Sequence, residues 1–158
     1  MRNRSGFTLV EILIVVVILG ILAAIVVPQF TEATGEAKEA RLLQDLQSVR
    51  SQIELYKLQH AGELPGQGSG AAPASVVLCL TGMTDVEGQA LAAGTAPGVG
   101  VYGPYLQKVP ANPFVAAAVD GRSIEEGLTD AAAGGNNGWF INTVSGAFFA
   151  DDDDHNTL

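Results

Sequence analysis

The residues best suited to chemistry are four consecutive aspartates near one end of the chain, Asp151, Asp152, Asp153 and Asp154. Carboxylate oxygens are the ligands that Ca²⁺ prefers in proteins, so the run predicts a calcium site. The alternative is a solvated acidic tail, because blocks of like charge normally stay in water. In an extended segment alternate side chains point to opposite faces, so at most about three of the four can share one ion.

No pattern typical of an enzyme accompanies these aspartates. His60 and His155 are the only histidines, Cys79 is the only cysteine, and the sequence has neither a glycine-rich phosphate loop nor an HExxH pattern. We therefore expect no catalytic activity. One cysteine cannot form an intramolecular disulfide, and the apolar neighbours of Cys79 predict a small buried side chain.

Glu11 is the second unusual residue, because it is the only charged residue between Phe7 and Val27. This apolar run is long enough to cross most of a bilayer, which takes about 20 helical residues. A charged residue at the centre of a membrane helix costs roughly 2.5 to 3.5 kcal/mol and less near an end, so Glu11 predicts a partner. Alternatively, the run is a plain anchor and the Glu11 side chain reaches the headgroups.

The basic residues near the apolar run predict its orientation in a membrane. Arg2 and Arg4 precede the run, and the next basic residue is Lys38. Because positive charge stays on the cytoplasmic side, we expect the N-terminus to be cytoplasmic and the bulk of the protein to lie outside.

A pair of small residues, Ser5-Gly6, lies before the apolar run, whereas a secretory leader carries its cleavage site after the run. Residues 6–11 read GFTLVE, which resembles the prepilin signature of type IV pilins and type II secretion pseudopilins. The resemblance implies that a prepilin peptidase cuts after Gly6 and methylates the Phe7 amine. It also implies that Glu11 pairs with the Phe7 amine of a neighbouring subunit during assembly.

Two residues weaken the helix inside the apolar run. Pro28 has no amide hydrogen to donate, and Gly20 costs about 1 kcal/mol of helix propensity relative to alanine. In pilin-like proteins this interval can unwind when subunits enter the filament, so the resemblance implies a weak segment from Gly20 to Pro28. A simple proline kink is the alternative.

The sequence predicts a leader at 1–6, a transmembrane and filament-core helix at 7–30, an amphipathic helix at 31–62 and a globular head at 63–158. The helix is predicted to end near Ala61-Gly62. Apolar residues recur every three or four positions and predict one buried stripe, comprising Phe30, Ala33, Ala37, Ala40, Leu42, Leu46, Val49, Ile53 and Tyr56. Charges on the opposite face predict three pairs, Arg41 with Asp45, Arg50 with Glu54, and Glu54 with Lys57.

The head begins with a flexible connection, Gly66 to Pro73, and a short helix is predicted over Ala74 to Leu80. The interval from Asp85 to Gly100 is predicted to be loop. Gly103 to Phe114 contains three prolines, which preclude a continuous helix. This last segment resembles one in the major pseudopilin of type II secretion.

A β-hairpin is predicted near the end of the head. Aromatic residues in Trp139 to Asn142 and Ala147 to Ala150 flank the turn Thr143 to Gly146. A further strand is predicted at about Ala116 to Val119, followed by a glycine-rich loop at Gly134 to Gly138. The predicted fold class is α+β, with the long N-terminal helix packed on a small C-terminal antiparallel sheet.

These features predict a structural subunit of a pilin-like filament. The formal net charge of −9 argues against nucleic-acid binding. The resemblance implies a helical homo-oligomer, a prepilin peptidase, minor pilins and an inner-membrane platform with an assembly ATPase as partners. The main hypothesis is a type II secretion pseudopilus. The alternatives are a type IV pilus for adhesion or motility, and an unassembled membrane-anchored binding protein.

Overall fold

A computed structural model describes residues 7–67, 75–92, 94–116, 118–129 and 137–158, with Thr31 described by its backbone alone. The leader, most of the predicted flexible connection and most of the glycine-rich loop lie outside these residues. The chain divides into two compact units, Met1–Glu39 and Ala40–Leu158.

The longest element is helix α1, Leu9–Gln59, which includes Pro28 in its interior. It ends where the sequence predicts, because Ala61 and Gly62 adopt positive φ angles of 54° and 97°. The amide of Gly62 donates to the carbonyl of Lys57 over 2.9 Å, which satisfies one of the last open carbonyls of the helix.

Within the second unit, α1 buries one stripe of side chains. Its members are at most 1% exposed and comprise Leu42, Leu46, Val49, Ile53 and Tyr56. Their spacing of four and three residues keeps them on one helix face, and each contributes roughly 1.5 to 3 kcal/mol by leaving water. This part of the predicted stripe is confirmed, whereas the Phe30 side chain is 67% exposed.

The charged face of α1 confirms two of the three predicted pairs. Arg41 lies 3.5 Å from Asp45, and Lys57 lies 3.3 Å from Glu54. The predicted pair of Arg50 with Glu54 is wrong. Arg50 instead donates two hydrogen bonds to the carbonyl of Phe148, at 2.9 and 2.7 Å, and a third to the carbonyl of Leu158. The guanidinium therefore ties α1 to the last segment of the head.

The predicted short helix is present as α2, Val76–Thr81, and the Ser75 side chain caps its first turn. Val76, Cys79 and Leu80 are fully buried. Burial raises the pKa of the Cys79 thiol, which agrees with the prediction of a small buried side chain.

Two short strands, β1 (Thr84–Asp85) and β2 (Val101–Tyr102), pair antiparallel. Tyr102, Tyr56 and Tyr105 surround the fully buried ring of His60, and Tyr56 stacks on that ring at 3.9 Å. The His60 Nε2 lies 3.0 Å from the Thr84 hydroxyl, so the imidazole joins the end of α1 to β1.

The main sheet has three strands in the order β3 (Ile124–Gly127), β4 (Trp139–Asn142) and β5 (Phe148–Ala150). Strands β4 and β5 form the predicted antiparallel hairpin. Its turn closes as expected, because Gly146 has a φ of 80° and donates from its amide to the Asn142 carbonyl over 2.8 Å.

Strand β3 differs from the sequence-based expectation in both place and direction. It pairs parallel with β4, so the sheet is mixed rather than purely antiparallel. The predicted strand at about 116–119 is wrong, because the described residues there adopt turn and irregular conformations. The real strand carries Glu125 and Glu126 and lacks the apolar alternation that reveals a strand in sequence. The α+β prediction itself is confirmed.

The core lies between the α1 stripe, α2 and the hairpin. Trp139 and Phe148 stack at 5.3 Å, and the indole N–H of Trp139 donates to the carbonyl of Pro110 over 2.8 Å. The proline-rich segment therefore supplies a backbone acceptor for the buried tryptophan, which fixes that segment against the sheet.

Candidate functional site

The first candidate site is the start of α1, where Thr8 directly precedes the helix. Its amide and its hydroxyl both donate to Oε2 of Glu11, over 2.8 and 2.7 Å. The amide of Glu11 donates in return to the Thr8 hydroxyl over 3.2 Å. This reciprocal arrangement is a capping box, which satisfies donors that the first helical turn would otherwise leave open.

The capping box gives Glu11 a partner within its own chain. The partner predicted from the sequence is instead the Phe7 amine of a neighbouring subunit. A structure of one chain does not test a pairing between subunits. The signal for the cap was present in the sequence, because a threonine three residues before a glutamate at a helix start is its signature. Phe7 is 84% exposed, so its ring has little contact with the rest of the described chain.

The helix that follows carries an uninterrupted apolar surface. Helix α1 is long and apolar enough to cross a membrane, and the apolar window within it is not buried inside the protein. Ile12, Val16 and Leu19 are typical, with just over half of each side chain exposed. A helix that is apolar on all sides suits a lipid environment or a bundle of like helices, so the first unit is consistent with a membrane anchor.

The two helix-weakening residues lie inside continuous helix. Gly20 and Pro28 both fall within the bounds of α1. A Cβ atom added at Gly20 would have no neighbour within 4 Å, so packing within the chain does not require glycine there. Unwinding between these residues on assembly therefore remains a prediction. Gly6, the predicted cleavage residue, lies outside the described residues.

The second candidate site is the acidic segment, residues 151–154, which follows β5. Asp151 is fully buried and Asp152 is 8% exposed, whereas Asp153 and Asp154 are exposed. Oδ2 of Asp151 accepts a hydrogen bond from the amide of Asn137 over 3.0 Å. The alternative of a fully solvated tail is therefore wrong for the first two aspartates.

Asp152 is held by donors from two directions. Nδ2 of Asn112 donates to Oδ2 over 2.9 Å, while the amide and Nδ1 of His155 lie 3.0 and 2.5 Å from Oδ1. Burial raises the pKa of Asp152, but the hydrogen bonds from Asn112 and His155 outweigh it, so the net pKa lies below its usual value. The carboxylate is therefore stabilised in its charged form.

In this conformation the acidic segment offers a cation only some of the oxygen ligands that a complete site needs. Both oxygens of Asp152 already accept protein hydrogen bonds. Throughout the described ranges, no group of three or more His, Cys, Asp or Glu side chains converges as a metal site would require. Asp153 and Asp154 line a small pocket of about 260 Å³ with Phe114 and Val115. Calcium binding by the four aspartates stays a prediction that needs a direct measurement.

Comparison with known proteins supports the reading of the N-terminus. Residues 1–27 match the family model described as the prokaryotic N-terminal methylation motif. The chain is 48% identical to type II secretion system core protein G of Pseudomonas aeruginosa over 59 residues, which are 37% of this chain and 42% of the relative. It is 40% identical to the protein of that name from Dickeya chrysanthemi over 60 residues, 38% of this chain and 39% of the relative.

A pilus protein is also among the relatives. The fimbrial protein of Neisseria meningitidis serogroup B is 36% identical over 72 residues, which are 46% of this chain and 42% of that protein. The chain thus spans about two fifths of the length of these curated relatives. No solved structure matches the chain significantly. Residues 1–27 therefore match the prokaryotic N-terminal methylation motif, and the chain is similar to type II secretion system core protein G, which confirms the predicted resemblance to pseudopilins.

Proposed function

We propose that this chain is a structural subunit of a pilin-like filament, the pseudopilus of a type II secretion system, and that it helps to export folded proteins. The observation that carries the proposal is the methylation motif at residues 1–27, which leads into a helix apolar on all sides. The similarity to core protein G favours the secretion machine.

In this proposal the precursor sits in the bacterial inner membrane with its head in the periplasm. A prepilin peptidase removes residues 1–6, and copies then stack helically with their anchors inside and their heads outside. An inner-membrane platform, an assembly ATPase and minor pilins complete the machinery. The head joins the periplasmic or extracellular filament. The apolar surface of residues 9–30 would be covered by lipid before assembly and by like helices afterwards.

Glu11 has two partners in this scheme, used at different stages. Before assembly, the capping box with Thr8 gives the carboxylate local donors and lowers the cost of holding an acid in the apolar region. During assembly, the cationic amine of a neighbouring Phe7 would compete for the same carboxylate. A charged donor is roughly twice as strong as a neutral one, which favours the exchange.

Processing provides the direct test of the proposal. The full-length chain is expressed in a host with and without a prepilin peptidase, and the intact mass of the membrane form is measured. We expect the loss of residues 1–6 and the gain of one methyl group only when the peptidase is present. Retention of Met1 in the presence of active peptidase would contradict the proposal.

An assay of protein secretion distinguishes a secretion pseudopilus from a type IV pilus. A type IV pilus subunit is the second candidate, and the similarity to the fimbrial protein favours it. Deleting the gene in its native host should stop release of a folded exoprotein if the chain is a pseudopilin. A strain that still secretes its exoproteins but loses surface filaments would support the pilus instead.

A further inference from the structure

The cations of the head occur in one place. From residue 60 onward the sequence has eleven acidic residues but only two basic ones, Lys108 and Arg122. Both basic residues are exposed, and both line a groove of about 370 Å³. Copies of so acidic a head repel one another, so a groove that holds its two cations is where a negatively charged segment would dock.

The two cations are available for a partner. Within the described residues, neither the Lys108 nor the Arg122 side chain makes a salt bridge. Asp120 also lines the groove, but its Oδ1 accepts a hydrogen bond from the backbone amide of Arg122 over 3.0 Å. This hydrogen bond shapes the turn that presents Arg122, while the carboxylate keeps its charge. With two cations and one carboxylate, 2 − 1, the lining of the groove carries a formal charge of +1.

The groove is also fixed in position before any partner arrives. Val109, next to Lys108, is 3% exposed and belongs to the core. The amide and hydroxyl of Ser123, next to Arg122, donate to the Asp120 carbonyl over 2.9 and 2.6 Å. Binding therefore requires little ordering of the backbone that carries the cations, which lowers its entropic cost.

A matching negative surface lies elsewhere on the same head. Asp153 and Asp154 are exposed, while the neighbouring Asp151 and Asp152 are buried. The amide of Asp154 donates to Oδ1 of Asp152 over 3.3 Å, so the exposed pair sits on a turn anchored by the buried pair. The structure records no ion pair between this turn and the groove, although both lie in described residues.

We propose that Asp153 and Asp154 of one copy dock into the groove of Lys108 and Arg122 on a second copy. Two different surfaces of the same chain then form a heterologous contact, which leaves a free groove and a free acidic turn at the two ends of any array. Such a contact builds an open helical filament when the rotation between neighbouring copies does not close into a ring, as the proposed filament function requires. The inference rests on the proposed filament function and adds a head-to-head contact to it.

Charge reversal in the full-length chain tests the contact, with excess chelator present to keep cations off the aspartates. One variant carries Lys108→Glu with Arg122→Glu, a second carries Asp153→Lys with Asp154→Lys, and a third combines all four. Exposed opposite charges typically change an association constant by up to about five-fold per pair, so each double reversal should lower filament yield by roughly ten-fold or more. The four-fold variant should recover most of the yield, because attraction is restored.

The control separates pairing from net charge. Glu63→Lys with Glu87→Lys adds the same charge at two other exposed acids of the head. Combined with Lys108→Glu and Arg122→Glu, this control should still give a low filament yield. If it restores assembly as well as the acidic-turn reversal does, the effect is one of net charge and the docking is refuted. Failure of the four-fold variant to recover would point to a different acidic partner and would also refute it.

Cross-linking gives a second readout that does not depend on yield. Arg122→Cys combined with Asp154→Cys should form disulfide-linked ladders in assembled filaments, while each single variant should not. Native Cys79 is fully buried, so it gives little background. If filaments of the double-cysteine variant form but give no ladder, the docking alone is overturned. Wild-type chains that never form filaments would overturn the proposed function and the docking with it.

Discussion

The most demanding prediction concerns Asn112, a buried amide beneath the acidic segment. Its side chain is 4% exposed and makes three hydrogen bonds of 2.9 Å. Nδ2 donates to the Gly138 carbonyl and to Asp152, and Oδ1 accepts from the amide of Phe114. One residue therefore joins the proline-rich segment, the start of β4 and the acidic segment.

Asn112→Ala removes all three bonds. Two neutral bonds contribute about 1 kcal/mol each and the bond to a charged carboxylate contributes about 1.5 to 3 kcal/mol, so the loss is about 3.5 to 5 kcal/mol. The pocket of about 260 Å³ beside Asp152 is large enough for water, which should reduce the loss at pH 7 to about 3 kcal/mol. For a head of this size that is a fall of roughly 10 °C in melting temperature.

The same substitution should change the response to acid. The folded pKa of Asp152 lies below its unfolded value, so its contribution is present above the unfolded pKa of about 3.9 and is lost as pH falls through the folded value. Without Asn112 the folded pKa rises, and the contribution disappears at higher pH. The difference in stability between wild type and variant should therefore shrink as the pH drops below about 4.

The assay is urea unfolding of a fragment from Ala40 onward, which contains every residue of the core cluster. Trp139 is the only tryptophan and is fully buried, so its fluorescence reports unfolding. Asn156→Ala is the matched control, because that side chain is partly exposed and should change stability by less than about 0.5 kcal/mol. Equal stability of wild type and Asn112→Ala at pH 7 would refute the reasoning.

Three further predictions address the turn, the acidic segment and the helix start. Gly146→Ala should cost about 1 to 2 kcal/mol in the same assay, because φ is 80° and the new Cβ would lie 2.7 Å from a leucine methyl; an unchanged midpoint would contradict the strained turn. If calcium binds the acidic segment, millimolar Ca²⁺ should raise the melting temperature of the head, and Asp152→Asn with Asp154→Asn should abolish the rise. Identical melting curves in calcium and in chelator would exclude the site. Glu11→Ala should insert normally but assemble slowly, whereas Thr8→Val removes only the cap and should assemble nearly normally; equal defects by electron microscopy would show that Glu11 acts mainly as a cap.

The parts of the fold that sequence analysis predicted are those with local or periodic signals. The stripe from Leu42 to Tyr56 repeats at helical spacing, and Gly146 marks a turn between two aromatic runs. Cys79 sits in an apolar run and is buried. In each case the local sequence pattern and the tertiary environment favour the same residue types. The pattern alone is therefore sufficient to predict the burial or the turn.

The parts that were missed depend on partners far away in sequence. Strand β3 contains two glutamates, and Oε1 of Glu126 accepts from the amide of Val76 over 2.9 Å. Gly127 is required because a Cβ there would lie 2.5 Å from the ring of Phe140 on the neighbouring strand. Burial of Asp151 and Asp152 likewise depends on donors from Asn112 and from the loop before β4. Contacts between residues so far apart in sequence leave no local pattern from which they could be predicted.

The division between predictable and unpredictable parts also bears on function. In the proposed function, processing, insertion and assembly depend on the methylation motif, on Glu11 and on an apolar helix, which all lie in one short segment. These features support the proposed class of filament. In the proposed docking, how one head meets the next depends instead on where tertiary structure places a few charges, such as Lys108 and Arg122 in one groove and Asp153 and Asp154 on an anchored turn. Similarity over about two fifths of the chain therefore supports the proposed class of machine, while in the proposed docking the register and polarity of the filament would follow from the charges of the head.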